Sequence, residues 1–554
     1  MNDQPGAAAG ARPYTVSYMD HSSAPGQSAI LIDLLRGSPS IAKYFPNSQK
    51  ELYKFVDELI DSYKADRQDL CSMLDVQNRA YGAGEDTLAN IQKLAENDCV
   101  TVITGQQAGL FSGPAYTIYK AITAIKQAKR LKERGIKAVP VFWIASEDHD
   151  LEEVRSTTIL GDEGNQISLS MNAEEEDVGR PVGHVSLGIQ VSDLVRVAAD
   201  ALPEGDSGAN AKELISECYA PGETYSSAFA RLLSKVFGKY GLIVVSPLDE
   251  AFRELARPLV REAVKKADLI RDALLARDEE LATDGYHSQV HVGKDFFPFF
   301  LIERGKRIPL RLANADTVER QDTGQTLAIG ELLKSLDADA TILSPNALMR
   351  PAIQDYVFPN ALYYGGSAEI AYFAQNSKIY ELLGRPVTPI RHRSAYTVVA
   401  PRNRRTLNAY GLSFEDVLQG KEVVSAKVIE EFLDPETAQL FERTRNEVER
   451  LVANLSERLE QSEPTLAESL SKRREKILWH IETLHRKFLQ SEAFKDDVAA
   501  KRLDYLFNTM LPNDAPQERI LSGVSFLAEY GPKFTEWLLE TADTEGRRHT
   551  VLTF

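Results

Sequence analysis

The sequence predicts an α/β fold in which a parallel sheet is covered on both faces and an α-helical coiled coil follows towards the C-terminus. Three observations predict it. Val100–Thr104 and Val139–Ile144 are continuous apolar runs of strand length, and strands that are apolar throughout, rather than in alternation, belong to sheets buried on both sides. Between them Ile118, Ile122, Ile125 and Leu131 recur at helical spacing. Lys126, Lys129, Lys132 and Arg134 take the other face and the last turn, and Gly135 stops the helix, an arrangement that suits the helix dipole and a glycine C-cap. Strand, helix and strand on short links make a βαβ unit. Lastly, Phe441, Val448, Leu451, Leu455 and Leu459, then Leu466, Leu470, Ile477, Leu484 and Phe488 beyond Pro464, recur at heptad-like spacing with charges between them. Two long antiparallel helices fit this pattern, their narrow apolar stripe closing within the chain or against a second copy.

The remaining segments fall into order around these. Residues 1–97 are an N-terminal arm, loose and rich in Gly, Ala, Pro and Ser to about residue 25, followed by helices such as the one in "SQKELYKFVDELIDSYKADRQDLCSML". Residues 98–160 form the first part of the core. Residues 161–222 are polar, glycine-rich and short-stranded, the composition of an insertion. The core continues over 223–280 with an amphipathic helix near 223–239 and the strand in "GLIVVSPLD". "FFPFFLIERGKRIPLRL" is a β-hairpin in a second insertion, 281–335. Residues 336–420 complete the core through "ATILSPNALMRPAIQDYVFP" and a last strand in "GRPVTPIRHR". The coiled coil takes 421–510, and 511–554 return to the core.

Composition excludes several classes. Among 554 residues, 43% are apolar, enough for a large core, and the net charge of −17 argues against a general nucleic-acid binder. No apolar run reaches the roughly 18 residues of a membrane span, and the N-terminus lacks a basic region followed by an apolar one. Cys71, Cys99 and Cys218 stand apart, so no disulfide scaffold or zinc ribbon is expected and a cytoplasmic location fits best. The histidines show no metal-ligand spacing: His287 and His291 sit in a strand-like stretch, and His480 and His485 read as solvated on the coiled coil.

Chemistry is expected where the two core strands end, because ligands of open parallel sheets bind beyond the carboxyl ends of the strands. After the first strand comes Gly105-Gln106-Gln107-Ala108-Gly109, with Gly113 close behind. These glycines allow tight turns and close approach of backbone to a ligand, and the following helix start favours an anion. Gln106 and Gln107 each bring a donor and an acceptor, and Lys120 could neutralise a phosphate or carboxylate. There is no GK[ST] P-loop and no GxGxxG. After the second strand comes Glu147-Asp148-His149-Asp150. Asp150 and Glu153 have the spacing of a capping box. Glu147, Asp148 and His149 could hold an ammonium group, orient sugar hydroxyls, move a proton, or bind Mg²⁺ through water. A second constellation contains Arg350, Gln354 and Asp355, then Glu369, Tyr372 and Gln375 after Gly365-Gly366. Arg350 and Gln354 share a helix face, and an arginine there suits bidentate capture of a carboxylate or phosphate.

"TGQQAGLFSGPAYTIYKAITAI", "PVFWIASEDHDLEEV", "LSPNALMRPAIQDYVFP", "YYGGSAEIAYFAQ" and "QER" at 517–519 closely resemble, in the same order along nearly the whole chain, the bacillithiol biosynthesis cysteine-adding enzyme family. The resemblance implies a Rossmann-like core with connecting-peptide insertions and a coiled coil supporting a homodimer. It implies a ligase that joins L-cysteine to the amine of glucosaminyl-malate, with ATP suspected as co-substrate and the metal requirement open, Mg²⁺ included. Its pattern falls on Gly105, Gln106, Gln107, Gly109, Gly113, Lys120, Glu147, Asp148, His149 and Asp150, and on Arg350, Gln354, Asp355, Glu369, Tyr372 and Gln375. Glu147, Asp148 and His149 are the catalytic candidates. The class I adenylating signatures HIGH and KMSKS are absent. Two other readings use the same sheet edge: a nucleotidyltransferase, and a non-catalytic nucleotide-binding coiled-coil dimer.

Overall fold

Five parallel strands with matched ends place the polar segments. In the computed structural model, which describes residues 12–24, 26–48, 52–161, 163–430, 435–493 and 497–554, these are β1 (Val100–Gln106), β2 (Ala138–Ile144), β3 (Ile243–Val245), β9 (Asn360–Gly365) and β10 (Ile390–His392), in the order β10-β9-β1-β2-β3. Every residue of β2 and all but the last of β1 are buried, as the continuous apolar runs require. Thr104 lies opposite Phe142 and Tyr364, and Gly365 lies opposite His392. Gln106, Ala145, Gly366 and Arg393 therefore emerge side by side at one edge. Helix α1 (Tyr116–Glu133) makes the crossover from β1 to β2.

The second insertion forms an antiparallel sheet. Its strands are β4 (Phe296–Glu303), β5 (Lys306–Asn314), β6 (Thr317–Arg320), β7 (Thr326–Ala328) and β8 (Leu343–Pro345), in the order β7-β6-β5-β4-β8. The expected hairpin is β4 and β5. The strand end before Arg350 pairs with β4 in this sheet rather than joining the parallel one. The parallel sheet is completed instead by β9, whose "NALYYG" is buried throughout.

Two further differences stand out. Residues 161–222 hold one short strand, Gln166–Ser170, paired with Ser156–Leu160 just before them, but also two helices, Gln190–Ala201 and Asp206–Cys218. In the first of them Val191, Leu194, Val195 and Ala198 recur at helical spacing, a periodicity that the polar stretch before it masks. In the arm, Thr15–Asp20 is a strand beside Arg548–Thr553; residues 1–11 of the arm lie outside the described residues.

The described chain divides into two units. One takes the described residues of 1–162, 166–397 and 517–552, and the other takes 163–165, 398–516 and 553–554. The second contains the helical hairpin α6 (Pro435–Glu460) and α7 (Pro464–Ala493), each opened by a proline at its first position. Phe441 packs on His485 and Phe488, and Glu449 pairs with Arg474, so the two helices run antiparallel. His485 thus stacks on a phenylalanine rather than standing in solvent. Leu451, Leu455, Leu466 and Leu484 of the apolar stripe remain more than half exposed. Among the described residues no helix is long and apolar enough to cross a membrane.

Three buried histidines from distant segments meet in the first unit. His21 lies 4.3 Å from the His392 ring and 6.1 Å from that of His549. Burial above all pushes His21 down from 6.5 to about 4, and burial likewise lowers His392 and His549. Between pH 6.5 and 4 the unfolded chain binds a proton at His21 that the folded chain does not, so acid favours unfolding in that window. His21 alone is expected to remove about 3 kcal/mol by pH 4. Urea unfolding at pH 7, 5.5 and 4.5 should show the loss, and His21→Gln should flatten the pH dependence. An unchanged slope in that variant would refute the assignment.

Candidate active site

A cavity of about 600 Å³ opens beyond the carboxyl edge of the parallel sheet. Its floor comes from Gly105-Gln106-Gln107 after β1 and from Glu147-Asp148-His149 after β2; Arg350 and the start of α5 (Ser367–Leu382) form one wall. Phe300 and Arg307 of the antiparallel sheet form another.

Gln107 joins the two sequence blocks. Its Nε2 donates to Asp148 Oδ2 at 2.7 Å, so the glutamine turn and the acidic segment share one crevice. A Cβ on Gly105 would meet the Trp143 carbonyl oxygen at 2.7 Å, which explains the glycine near the end of β1 where β2 passes close. Gly109 and Gly113 do other work. They pack on each other, with Gly113 at φ +62°, and a Cβ on Gly109 would fall 2.8 Å from the Gly113 Cα. The Tyr219 hydroxyl donates to the Gly109 carbonyl and receives the Ser112 amide. These two glycines fold the loop on itself away from the cavity.

The acidic segment separates by environment. Glu147 is buried in an ion pair with Arg253, and the Ser344 hydroxyl donates to it at 3.3 Å. Asp148 faces the cavity. Burial would raise its pKa, but the bond with His149, the Arg307 charge and the His149 amide outweigh it and hold the carboxyl at about 2. Arg307 Nη1 lies 3.1 Å from His149 Nδ1. The same Nδ1 lies 3.6 Å from Asp148 Oδ1. Asp150 caps the one-turn helix α2 (Leu151–Val154), accepting the Glu153 amide at 3.3 Å. The Glu153 side chain does not complete the capping box; it lines the cavity, as Gln107 does.

The other end is built around two cations. Lys120, buried, donates to the Gly105 carbonyl at 2.7 Å and to Gln106 Oε1 at 2.9 Å, and pairs with Glu369. Glu369 also accepts from the Tyr363 hydroxyl and the Gly366 amide, each at 2.7 Å. Burial would raise Glu369, yet Lys120 and these donors hold it below the usual carboxylate range. Arg350 donates to Gln354 at 2.9 Å and to the Tyr372 hydroxyl at 2.8 Å, between the Trp143 and Tyr363 rings. Among the described residues, no carboxylate lies within ion-pair distance of Arg350 or of Arg519, an exposed residue that also lines the cavity.

Three expected site residues lie behind the wall. Gln354 is fully buried under Arg350. Asp355 accepts from Gln354, Asn360 and Tyr380, and burial raises its pKa. Gln375 bonds Asp278 and both backbone groups of Val290, which pins the segment that brings Gln289 and Val290 to the cavity. Sequence reasoning passed over Arg307, Phe300, Arg393 and Arg519, and took Glu153 only as a cap. Nothing local distinguishes Arg307 from any other hairpin arginine. Among the described residues no group of three or more His, Cys, Asp or Glu is placed to hold a metal ion.

A parallel sheet with a polar cavity beyond its carboxyl edge defines a Rossmann-like protein with a small-molecule site. Two family models match the chain: "Bacillithiol biosynthesis BshC, N-terminal Rossmann-like domain" over residues 16–394, and "Bacillithiol biosynthesis BshC, C-terminal coiled-coil domain" over 396–554. The chain belongs to the bacillithiol biosynthesis BshC family. Relatives named "Putative cysteine ligase BshC" include one from Solibacter usitatus, 35% identical and covering 96% of this chain and 98% of its own. One from Koribacter versatilis is 32% identical over 94% and 96%, and one from Bacillus cereus 26% over 95% and 98%.

Proposed function

We propose that this protein is a cytoplasmic cysteine ligase that forms an amide between the carboxyl of L-cysteine and the amine of glucosaminyl-malate, the last step of bacillithiol synthesis. One observation carries the reading beyond family membership: a single cavity holds an ionised carboxylate, Asp148, at one end and a carboxylate-free arginine, Arg350, at the other. An aminosugar bearing malate has the complementary charges. Its ammonium is held by Asp148 and its malate carboxylates by Arg350, whose planar fork suits them.

A free carboxylate does not acylate an amine, so the cysteine carboxyl requires activation, and ATP as co-substrate supplies it. Arg519, which lines the cavity without a carboxylate partner among the described residues, suits phosphate oxygens. Gln106 and Gln107 orient the amine-bearing ring from the floor. The exposed leucines of α6 and α7 support closure against a second copy of the chain. Light scattering is expected to give a dimer, and Leu451→Glu with Leu455→Glu to give a monomer.

The direct experiment compares metabolites between a strain lacking this protein and its parent. The deletion is expected to lose bacillithiol and accumulate glucosaminyl-malate, and the restored gene to reverse both. Unchanged thiol in the deletion would remove the ligase reading. ATP–pyrophosphate exchange without cysteine would favour a nucleotidyltransferase instead.

A further inference from the structure

We propose that Glu153 is the general base of this site, the group that takes a proton from the substrate ammonium while Asp148 holds that ammonium in place. The proposal rests on the ligase reading and names the proton acceptor which that reading leaves open.

The other carboxylates of the cavity, and its histidine, are already engaged. Glu147 is spent on Arg253. Asp148 accepts from Gln107 and from the His149 amide, beside Arg307, and a carboxylate so stabilised is a poor proton acceptor near neutrality. His149 Nδ1 is held between Arg307, at 3.1 Å, and Asp148, at 3.6 Å. Glu369 is locked by Lys120, Tyr363 and Gly366. Glu153 differs from all of these. Among the described residues no cation lies within ion-pair distance of it, and it lines the cavity together with the uncharged Gln107.

Its position is set by the chain. Asp150 caps α2 and takes the Glu153 amide, so the carboxyl is not needed at the helix end and turns to the cavity mouth. There it is open to solvent on one side and crowded on the other. Asp148 and Asp150 face it from the loop after β2; Tyr116 and Lys120 face it from α1. The crowding and the two neighbouring carboxylates raise its pKa, against the smaller opposing pulls of Gln107 and Lys120. Asp148 moves the other way. Two adjacent carboxyls pushed apart in this fashion divide the roles of fixed charge and proton carrier.

The step balances as follows. The glucosamine ammonium gives one proton to the Glu153 carboxylate, and the freed lone pair forms the N–C bond to a cysteine carboxyl activated by an oxygen leaving group. The C–O bond to that group breaks with its electron pair on the departing oxygen. The second N–H proton leaves with that oxygen, and Glu153 returns its proton to water.

The test uses the purified full chain with cysteine, ATP and glucosaminyl-malate, following bacillithiol by mass spectrometry from pH 5 to 9. Glu153→Gln is expected to cut the rate by about 10²- to 10⁴-fold, with a much smaller change in KM for glucosaminyl-malate. It should also abolish the rise of rate with pH on the acid side. Glu153→Asp should keep that limb and part of the rate. A Glu153→Gln enzyme that is folded by circular dichroism and keeps the wild-type rate, or keeps the acid limb, overturns the proposal. A wild-type protein that neither binds glucosaminyl-malate by calorimetry nor makes product overturns the ligase reading itself, and the base assignment falls with it.

Discussion

Asp148→Asn is expected to lower bacillithiol formation about 10- to 100-fold while leaving the fold intact. The substitution keeps the shape of the side chain and an oxygen for Gln107 Nε2, but removes the charge that holds the substrate ammonium. A hydrogen bond to a charged group is worth about 1.5–3 kcal/mol, and each 1.4 kcal/mol is about tenfold. Because the Asp148 carboxyl stays ionised down to about pH 2, the loss should be the same at every pH from 6 to 9, unlike that of Glu153→Gln. Thermal melting should move little, since the Asp148 side chain is 37% exposed and its nearest cation, Arg307, keeps the Pro345 carbonyl and His149. A variant that makes wild-type amounts of thiol would remove Asp148 from the site.

Arg393→Ala is expected to destabilise the first unit by about 3–5 kcal/mol, the usual cost of stranding one partner of a buried ion pair. Arg393 follows the last parallel strand and donates from both terminal nitrogens to Glu518, at 2.7 and 3.0 Å. The two side chains are only 4% and 5% exposed. Glu518 further accepts the Tyr396 amide at 3.1 Å. Without the guanidinium a buried carboxylate keeps its charge and loses its counter-ion. Arg393→Met combined with Glu518→Met should recover most of the loss in urea unfolding, because it removes both charges together. Equal destabilisation by the single and double variants would sink the argument. The pair also ties the C-terminal segment to the sheet edge, and Arg519 follows Glu518 directly, so activity is expected to fall even where the single variant is folded.

Much of this geometry was legible beforehand. Uninterrupted apolar runs force β1 and β2 into a doubly covered parallel sheet, and parallel strands joined by a helix must end at the same edge. The meeting of Gln107 with Asp148 follows from that rule. In the sequence Gly105 reads as a tight turn and close approach to a ligand, whereas it is the neighbouring strand β2 that leaves no room there for a Cβ. Arg350 and Gln354 bond across one helical turn, as their spacing requires.

Other features depend on partners far away in sequence. Glu147 and Asp148 are neighbours with the same chemistry, yet one is neutralised by Arg253 and the other faces the cavity. Gln354, Asp355 and Gln375 carry the same polar groups as true cavity residues but brace the wall from behind. Arg307 comes from a hairpin some 160 residues past His149, and no periodicity records that encounter. Sequence alone determined which segments reach the ligand edge, because strand direction is a local consequence of hydrophobic pattern. Only the tertiary structure decided which charges remain free there, because a charge is spent or spared by whichever group the fold packs against it.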